Sequence, residues 1–371
     1  MGTSRDDSRD AGTATSPDAG TATSPDAGTA TSPDAGTATS PDAGTATSPD
    51  ATPRTGRTIT AVAGATGRVS RQVVADLLTG GPAGSTRRRP IDPSDLVLLS
   101  RTPERAVETL TDPEHGEPLP QASKCDIRVG DYTDPEGMRR ALAGVDTFFM
   151  VSMTESAGRV DAHRAAVAAA RDAGVRHIVY LSFVGAAEDA VFTHAREHHA
   201  TEQALRAAAA DSGPAFTILR DSFYTEVTGQ FIVPDPWRDS GEAIAGPAAD
   251  GRTGFVTTAD VAACAAAVLR DPAAHRGRTY TLTGPEALTL GEVVEIVRGA
   301  TGRDVRYVDE TLAQARASRA GYGAPDWEVD AWISTYTAIA AGELDVVSDA
   351  VLQLTGRRPE SVAAWWARRA G

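Results

Sequence analysis

The sequence is almost without lysine. Of its 36 lysine and arginine residues, only Lys124 is a lysine. The formal net charge is −14, which argues against nucleic acid or another polyanion as the main partner. No run of about 18 apolar residues occurs, so neither a membrane-spanning helix nor a membrane partner is expected.

Cysteine is scarce as well. Cys125 and Cys264 are the two cysteines of the chain, too few for a disulfide framework or a zinc set. The N-terminal residues have no apolar core, so a secretory signal is not expected. These features together predict a cytoplasmic protein, and the sequence leaves open whether it is a monomer or a homodimer.

The first part of the chain is a repeat. Residues 11–50 are five copies of Ala-Gly-Thr-Ala-Thr-Ser-Pro-Asp, which contain no Val, Ile, Leu or aromatic residue. Such a segment cannot bury enough apolar surface to offset the entropy lost on ordering. We therefore expect residues 1–54 to form a disordered, solubilising tail, and residues 55–371 to form the folded domain. Phosphorylation of the Ser-Pro pairs is a less favoured use of the repeat.

From Thr58 onward, short β-branched runs alternate with Ala-rich helical runs. Near-continuous apolar strands separated by helices predict a parallel sheet covered on both faces. The fold class expected is α/β: a Rossmann-type doubly wound parallel sheet, with a smaller C-terminal α+β substrate lobe. The nucleotide-binding core is predicted at about 57–220 and the lobe at about 221–371. Predicted strands are 58–63, 95–100, 126–129, 146–152, 177–181 and 216–219, and the helices between them include 68–78, 135–142, 159–173 and 192–210.

A glycine motif lies at the first junction of strand and helix. Gly64 permits the tight turn there, and Gly67 lets backbone amides approach a pyrophosphate at the helix N-terminus. The third position of this motif is normally glycine, and here it is Ser70. Because serine is small, we expect the close contact between helix and strand to survive. The position of the motif predicts a dinucleotide site.

The end of the second strand discriminates between the two nicotinamide cofactors. A site for NADH places a carboxylate there to bind the ribose 2′-hydroxyl, whereas this chain has Ser100 and Arg101. A guanidinium binds a 2′-phosphate, so NADPH is favoured over NADH. The run of arginines at 87–89 either adds attraction for that phosphate or is a solvated loop, and the second interpretation is favoured.

These motifs carry a resemblance to the atypical short-chain dehydrogenase/reductase group, namely NmrA-like proteins and NADPH-dependent quinone or azo reductases. The Gly-Asp-Tyr motif at 130–132 and the Ala-Gly-Glu-Leu motif at 341–344 are the more specific features. The remaining similar segments are 63–67, 100–104, 133–135, 144–146, 174–182, 201–205, 217–220 and 347–349.

The resemblance implies a set of cofactor-binding residues. It places the pyrophosphate against the glycine motif, the adenosine phosphate at the end of the second strand, and the nicotinamide near the ends of the fourth and fifth strands. The implied residues, in chain order, are Gly64, Thr66, Gly67, Arg68, Val69, Ser100, Arg101, Asp131, Tyr132, Val151, Ser152, Met153, Ser182 and Phe183. Tyr224 is the implied aromatic residue on the substrate side.

The chain lacks the Tyr-x-x-x-Lys pair that most short-chain dehydrogenases use, because its one lysine is far from the required position. The family's tyrosine and lysine positions fall instead on His194 and His198. We expect His194 to donate a proton to the reduced acceptor and His198 to contact the nicotinamide ribose. Two alternatives stay open: the histidines are polar surface residues of a helix at the cofactor site, or with His199 they begin a metal site, although a third ligand is missing.

Two functions from different classes are compatible with these residues. The favoured one is an NADPH-dependent oxidoreductase that transfers hydride to a small-molecule electrophile such as a quinone. The alternative is a non-catalytic regulator that binds NADP(H) and senses redox state. The tryptophans of the lobe are expected to pack in its core rather than to stack on a ligand; these are Trp327, Trp332, Trp365 and Trp366.

Overall fold

The structure is a computed structural model that describes residues 57–81, 88–111, 116 and 118–370. The repeat and the rest of the predicted tail lie outside the described residues, as does Arg87. The expectation of a disordered tail therefore stays a prediction.

Seven parallel strands form the main sheet of the described chain, in the order β10-β6-β5-β4-β1-β2-β3. The order runs outward in both directions from β1 and β4, which is the doubly wound arrangement that the alternating pattern predicts. The strands are β1 Thr60–Val62, β2 Leu96–Ser100, β3 Asp126–Val129, β4 Thr147–Met150, β5 His177–Phe183, β6 Ala215–Asp221 and β10 Thr279–Leu282.

Helices cover both faces of this sheet. Within the described ranges, no helix is both long enough and apolar enough to cross a lipid bilayer. The helices are α1 Arg68–Thr79, α2 Pro103–Thr109, α3 Pro135–Ala141, α4 Arg159–Asp172, α5 Thr193–Ala210, α6 Thr258–Arg270, α7 Leu290–Thr301, α8 Leu312–Arg319, α9 Asp326–Ala340, α10 Ala350–Thr355 and α11 Val362–Ala370.

Successive side chains of the central strands enter two different cores. In β4, Phe149 belongs to the core beneath α1 and α6, whereas Phe148 and Met150 belong to the core on the opposite face. All three are fully buried, because a parallel sheet between two helical layers has no solvent face. The α/β Rossmann-type fold predicted from the sequence is confirmed.

The lobe has a core of its own, built around two small sheets. One pairs β12 Val305–Asp309, β8 Glu242–Gly246 and β7 Ile232–Pro234, and the other pairs β9 Arg252–Thr253 with β11 Leu288–Thr289. A capping box of Thr289 and Glu292 opens α7.

The chain beyond residue 220 contributes to both parts of the molecule. β10 pairs in parallel with β6 in the main sheet, and α6 packs against α1. The chain after residue 220 therefore forms part of the nucleotide-binding core as well as the lobe.

Candidate active site

The glycine motif forms a tight turn directly before α1. Gly64 has a φ of +57°, and the Gly67 amide donates to the Gly64 carbonyl at 2.7 Å. A Cβ on Gly67 would lie 3.0 Å from that carbonyl oxygen, closer than side chains normally allow. Gly67 is the N-cap of α1 and provides no side-chain cap, so the first helical turn keeps amides that can bind an anion. These residues fit a dinucleotide pyrophosphate.

The serine at the third motif position is accommodated in the turn. Ser70 is buried, and its hydroxyl donates to the Ala63 carbonyl at the end of β1, at 2.8 Å. A Cβ on Gly64 would lie 3.2 Å from a methyl group of Val151, so the motif and the end of β4 are in close contact. Thr66, Arg68 and Val69 complete the turn and the start of α1, where the sequence places them.

The ends of β2 and β3 lie side by side at the same edge of the sheet. The Ser100 hydroxyl accepts from the Thr102 amide at 3.1 Å, whereas Arg101 is exposed and has no hydrogen bond or ion pair with any residue that the structure describes. Hydrogen bonds from Thr133 lower the pKa of Asp131, and the Arg101 charge contributes. The Arg101 guanidinium is therefore available to an anion at this edge.

Arg88, in the arginine run at 87–89, is used elsewhere. Its guanidinium donates to the carbonyls of Leu354 at 2.8 Å and Ala267 at 3.4 Å, which belong to α10 and α6. This side chain is therefore partly buried against α6 and α10, and the solvated-loop interpretation is wrong for Arg88.

The segment after β4 is held by side chains from α4 and from the loop that follows β3. The Tyr132 hydroxyl donates to the Val151 carbonyl at 2.9 Å, and the Met153 amide donates to His163 Nε2 at 3.0 Å. The hydrogen of His163 must then be on Nδ1, which lies 3.0 Å from the Thr201 hydroxyl. Burial lowers the pKa of His163 to about 3, which agrees with a neutral ring. Ser152 lies between these two anchored carbonyl and amide groups.

The two residues at the end of β5 point to different surroundings. The Ser182 hydroxyl is fully buried and donates to Glu202 at 2.7 Å, and Glu202 also accepts two hydrogen bonds from Arg220, at 2.7 and 2.6 Å. The ring of Phe183 contacts Phe192 instead, with centroids 5.1 Å apart. The nicotinamide contacts predicted for Ser182 and Phe183 stay predictions, and the Ser182 hydroxyl is already engaged.

His194 lies between two carboxylates near the start of α5. Its Nδ1 is 2.8 Å from Glu197, and its Nε2 is 3.2 Å from Glu155 in an ion-pair contact that is not aligned as a hydrogen bond. Burial alone would lower the pKa of His194, but the two carboxylates outweigh it and raise the pKa to about 9. The ring is therefore protonated at neutral pH, as a proton donor must be.

His198, one turn further along α5, is buried and neutral. Its Nε2 accepts from Arg159 at 3.0 Å, and its Nδ1 is 2.9 Å from the Tyr180 hydroxyl. Burial and then the Arg159 charge hold the pKa of His198 well below its usual range. Both ring nitrogens are engaged, so the predicted ribose contact requires one of these partners to move. No cluster of three or more side chains arranged for a metal ion occurs in the described part of the chain.

The predicted substrate-side residue, Tyr224, forms a hydrogen bond with the strand that precedes it, β6. Its hydroxyl donates to Asp221, the last residue of β6, at 2.6 Å. Burial raises the pKa of Asp221 to about 8, although this hydrogen bond opposes the increase. The Tyr224 ring packs against the core beneath α1 and α6.

The sequence interpretation missed the residues that set the charge of His194. Glu197 lies three positions after His194 on the same helix, a spacing at which side chains meet, so it was available as a signal. Arg159 is buried and forms an ion pair with Glu197. No local sequence pattern indicates Glu155 or Arg159, because Glu155 lies in the segment between β4 and α4 and Arg159 is the first residue of α4.

The expectation for the tryptophans is partly wrong. Trp365 and Trp366 are buried in the lobe core, as predicted. Trp327 is 44% exposed and Trp332 lines a cavity, so the core expectation fails for these two.

The parallel sheet and the uncapped glycine turn at its carboxyl edge define a dinucleotide-binding Rossmann protein. Residues 56–316 match the model of the NmrA-like family. The chain therefore belongs to the NmrA-like family, which confirms the resemblance identified in the sequence.

Several reductases are similar to this chain over most of its length. Quinone oxidoreductase 2 of Escherichia coli is 30% identical over 303 residues, which are 82% of this chain and 96% of that protein. An NAD(P)H azoreductase of Xenophilus azovorans is 32% identical over 63% of this chain and 79% of its own length. The structure of an Escherichia coli NADPH-dependent quinone oxidoreductase with NADPH superposes with a TM-score of 0.69 at 27% identity, covering 84% of this chain and all of that one.

Proposed function

We propose that the protein is an NADPH-dependent oxidoreductase that reduces a small electrophile of the quinone class, with His194 as the proton donor. The family, and relatives named as quinone and azo reductases, make the chain an NAD(P)H-dependent oxidoreductase. The observation that supports the quinone substrate and the proton donor is that His194 lies between the carboxylates of Glu155 and Glu197, which outweigh the effect of burial and raise its pKa to about 9.

The glycine turn and Arg101 would hold the cofactor. Open amides at the start of α1 suit the pyrophosphate, and the guanidinium of Arg101 suits a 2′-phosphate. Bound NADPH would supply the hydride.

Reduction of a quinone to a hydroquinone requires one hydride and one proton. The Nε2 proton of His194 is the one to transfer, because Nδ1 stays on Glu197 at 2.8 Å while the Nε2 contact with Glu155 is longer. Glu155 is 46% exposed, so its carboxylate can leave Nε2 and can exchange protons with solvent afterwards. Because a quinone delocalises the charge left by hydride addition, a single imidazolium is a sufficient acid.

The test is NADPH consumption by the purified protein with benzoquinone and naphthoquinone as acceptors. Wild-type protein should oxidise NADPH, and His194→Gln should be slower. His199→Gln, on the same helix, should retain the wild-type rate. Tight NADPH binding without oxidation by any acceptor would support the redox-sensing alternative instead.

A further inference from the structure

The lobe contains a cavity of about 460 Å³ that the proposed reaction does not use. It is bordered by β7, β8, α8 and α9, and four rings lie in its wall: Phe231, Tyr322, Trp332 and Tyr336. None of its lining residues belongs to the predicted cofactor or catalytic set. We propose that this aromatic cavity is a separate binding site for a neutral, planar aromatic molecule.

The cavity has the size and shape of a ligand site. Small-molecule pockets typically measure about 300–1,000 Å³ and are mostly apolar. The floor is formed by buried groups, among them Ala245 and Tyr336, whereas Tyr322 at the rim is 61% exposed. A ligand can therefore enter from solvent past Tyr322 and lie against the buried floor.

The walls favour an aromatic ligand. Tyr322 and Trp332 meet edge to face with centroids 6.0 Å apart, and Phe231 and Tyr336 are tilted at 5.7 Å. Rings in these arrangements bind further rings by offset stacking or edge-to-face contact. Tyr322 is exposed and Trp332 beside it is half-buried. A ligand that covers both rings would remove this apolar surface from water.

The charges around the cavity favour a neutral ligand. Among the lining residues that the structure describes, Arg319 is the one that carries a charge, and its guanidinium donates to Glu310 at 2.9 Å and to the Ala245 carbonyl at 2.9 Å. Glu310 accepts a second hydrogen bond from the Trp237 indole at 3.0 Å. Since the cation is already neutralised, an anionic ligand would lose its hydration without gaining a counter-ion.

Two aromatic rings separate the cavity from His194. Phe231 contacts Phe223 at 6.3 Å, Phe223 contacts Phe192 at 5.6 Å, and Phe192 contacts His194 at 5.4 Å, each measured between ring centroids. A molecule seated against Phe231 is therefore not in contact with the predicted proton donor, and we expect it to bind together with NADPH.

The experiment is calorimetric titration of the whole protein with 2-naphthol, a planar aromatic that accepts no hydride here. One molecule should bind per chain without nucleotide, and a saturating concentration of NADPH should change its affinity by less than about twofold. Naphthalene-2-sulfonate, the charged analogue, should bind more weakly. Because no turnover is measured, the result does not depend on the proposed reductase activity.

Three variants locate the site. Tyr322→Ala removes an exposed wall, and should weaken 2-naphthol binding by about threefold to tenfold. Ser318→Phe fills the cavity, and should weaken binding by tenfold or more. Trp327→Ala removes an exposed ring of α9 that is not in the lining, and should bind like wild type.

The proposal is overturned by an absence of binding, by displacement of 2-naphthol by NADPH, or by equal affinities of Tyr322→Ala and Trp327→Ala. If Ser318→Phe fails to fold, the comparison of those two surface variants still decides, because neither changes a buried residue.

Discussion

Arg159 and His198 are joined by a hydrogen bond of 3.0 Å between the guanidinium and ring Nε2. A guanidinium only donates, so Nε2 carries no hydrogen and Nδ1 donates to the Tyr180 hydroxyl. Arg159 also donates to the Met153 carbonyl at 3.1 Å and pairs with Glu197. One buried cation thus connects α4 with the end of β4 and the start of α5.

Replacing this cation should destabilise the fold. Arg159→Met removes the buried cation from Glu197, which keeps His194 as a partner, and also removes the donor to the Met153 carbonyl. Removal of one member of a buried ion pair costs about 3–5 kcal/mol. We expect urea denaturation to show a loss of that size. Arg164→Met, on the exposed side of the same helix, should change stability by about 0.5 kcal/mol or less. Equal, small effects of the two substitutions would mean that the Arg159 contacts contribute no net stability.

Turnover should depend on the protonation of His194. Because the two carboxylates raise the pKa of His194 to about 9, the rate of quinone reduction should be constant near neutral pH and fall as pH rises past about 9. Proton donors typically contribute about 10²–10⁴-fold, and His194→Gln should lose the low end of that range or less with quinones. A wild-type profile that stays flat to high pH, together with an unimpaired variant, would exclude the proton-donor role.

Cofactor preference should depend on Arg101. A charged hydrogen bond is worth about 1.5–3 kcal/mol, so Arg101→Ala should weaken NADPH binding by roughly tenfold to a hundredfold and leave NADH binding nearly unchanged. The measurement is equilibrium titration with each nucleotide, with Arg164→Ala as the control for loss of one surface charge. Parallel losses for both nucleotides would show that Arg101 does not contact the 2′-phosphate.

The buried carboxyl of Asp221 should make stability dependent on pH. Burial raises its pKa to about 8, above the value of about 3.9 expected in the unfolded chain, so the fold favours the protonated form. This stabilisation is complete below about pH 4 and is lost as pH rises towards about 8.

Asp221→Asn cannot ionise, so its stability relative to wild type should increase between about pH 4 and 8 and then level off. Thermal unfolding across this range measures the difference. Asp239→Asn, at an exposed loop position, should show no such trend. A difference between Asp221→Asn and wild type that is constant with pH would mean that Asp221 is ionised throughout.

The centre of the main sheet was predictable because strands such as β2 and β4 are apolar runs bounded by polar or glycine-containing segments. The three-stranded sheet of the lobe was not, since β7 has three residues and ends in a proline, and β8 ends in a glycine. Nor does any local pattern show that β10 pairs with β6, because the partner of a parallel strand is chosen by packing.

The candidate site was predictable to a similar degree. The glycine turn and Arg101 follow from their positions at strand ends. The buried state of His198 does not, because its partner Arg159 lies 39 residues away and no pattern in α5 indicates it. The raised pKa of His194 was predictable only in part. Glu197 lies on the same helix as His194, whereas Glu155 comes from another segment.

The missing side-chain cap at the start of α1 has a consequence for how long the folded protein survives. The first amides of α1 receive no hydrogen bond from a capping side chain, and an anionic ligand can accept from them. Because such a ligand binds the folded state, a bound nucleotide increases the free energy of unfolding. At a ligand concentration a hundred times the dissociation constant the gain is about 2.7 kcal/mol. Resistance of this protein to proteolysis should therefore rise and fall with the supply of reduced nicotinamide nucleotide around it.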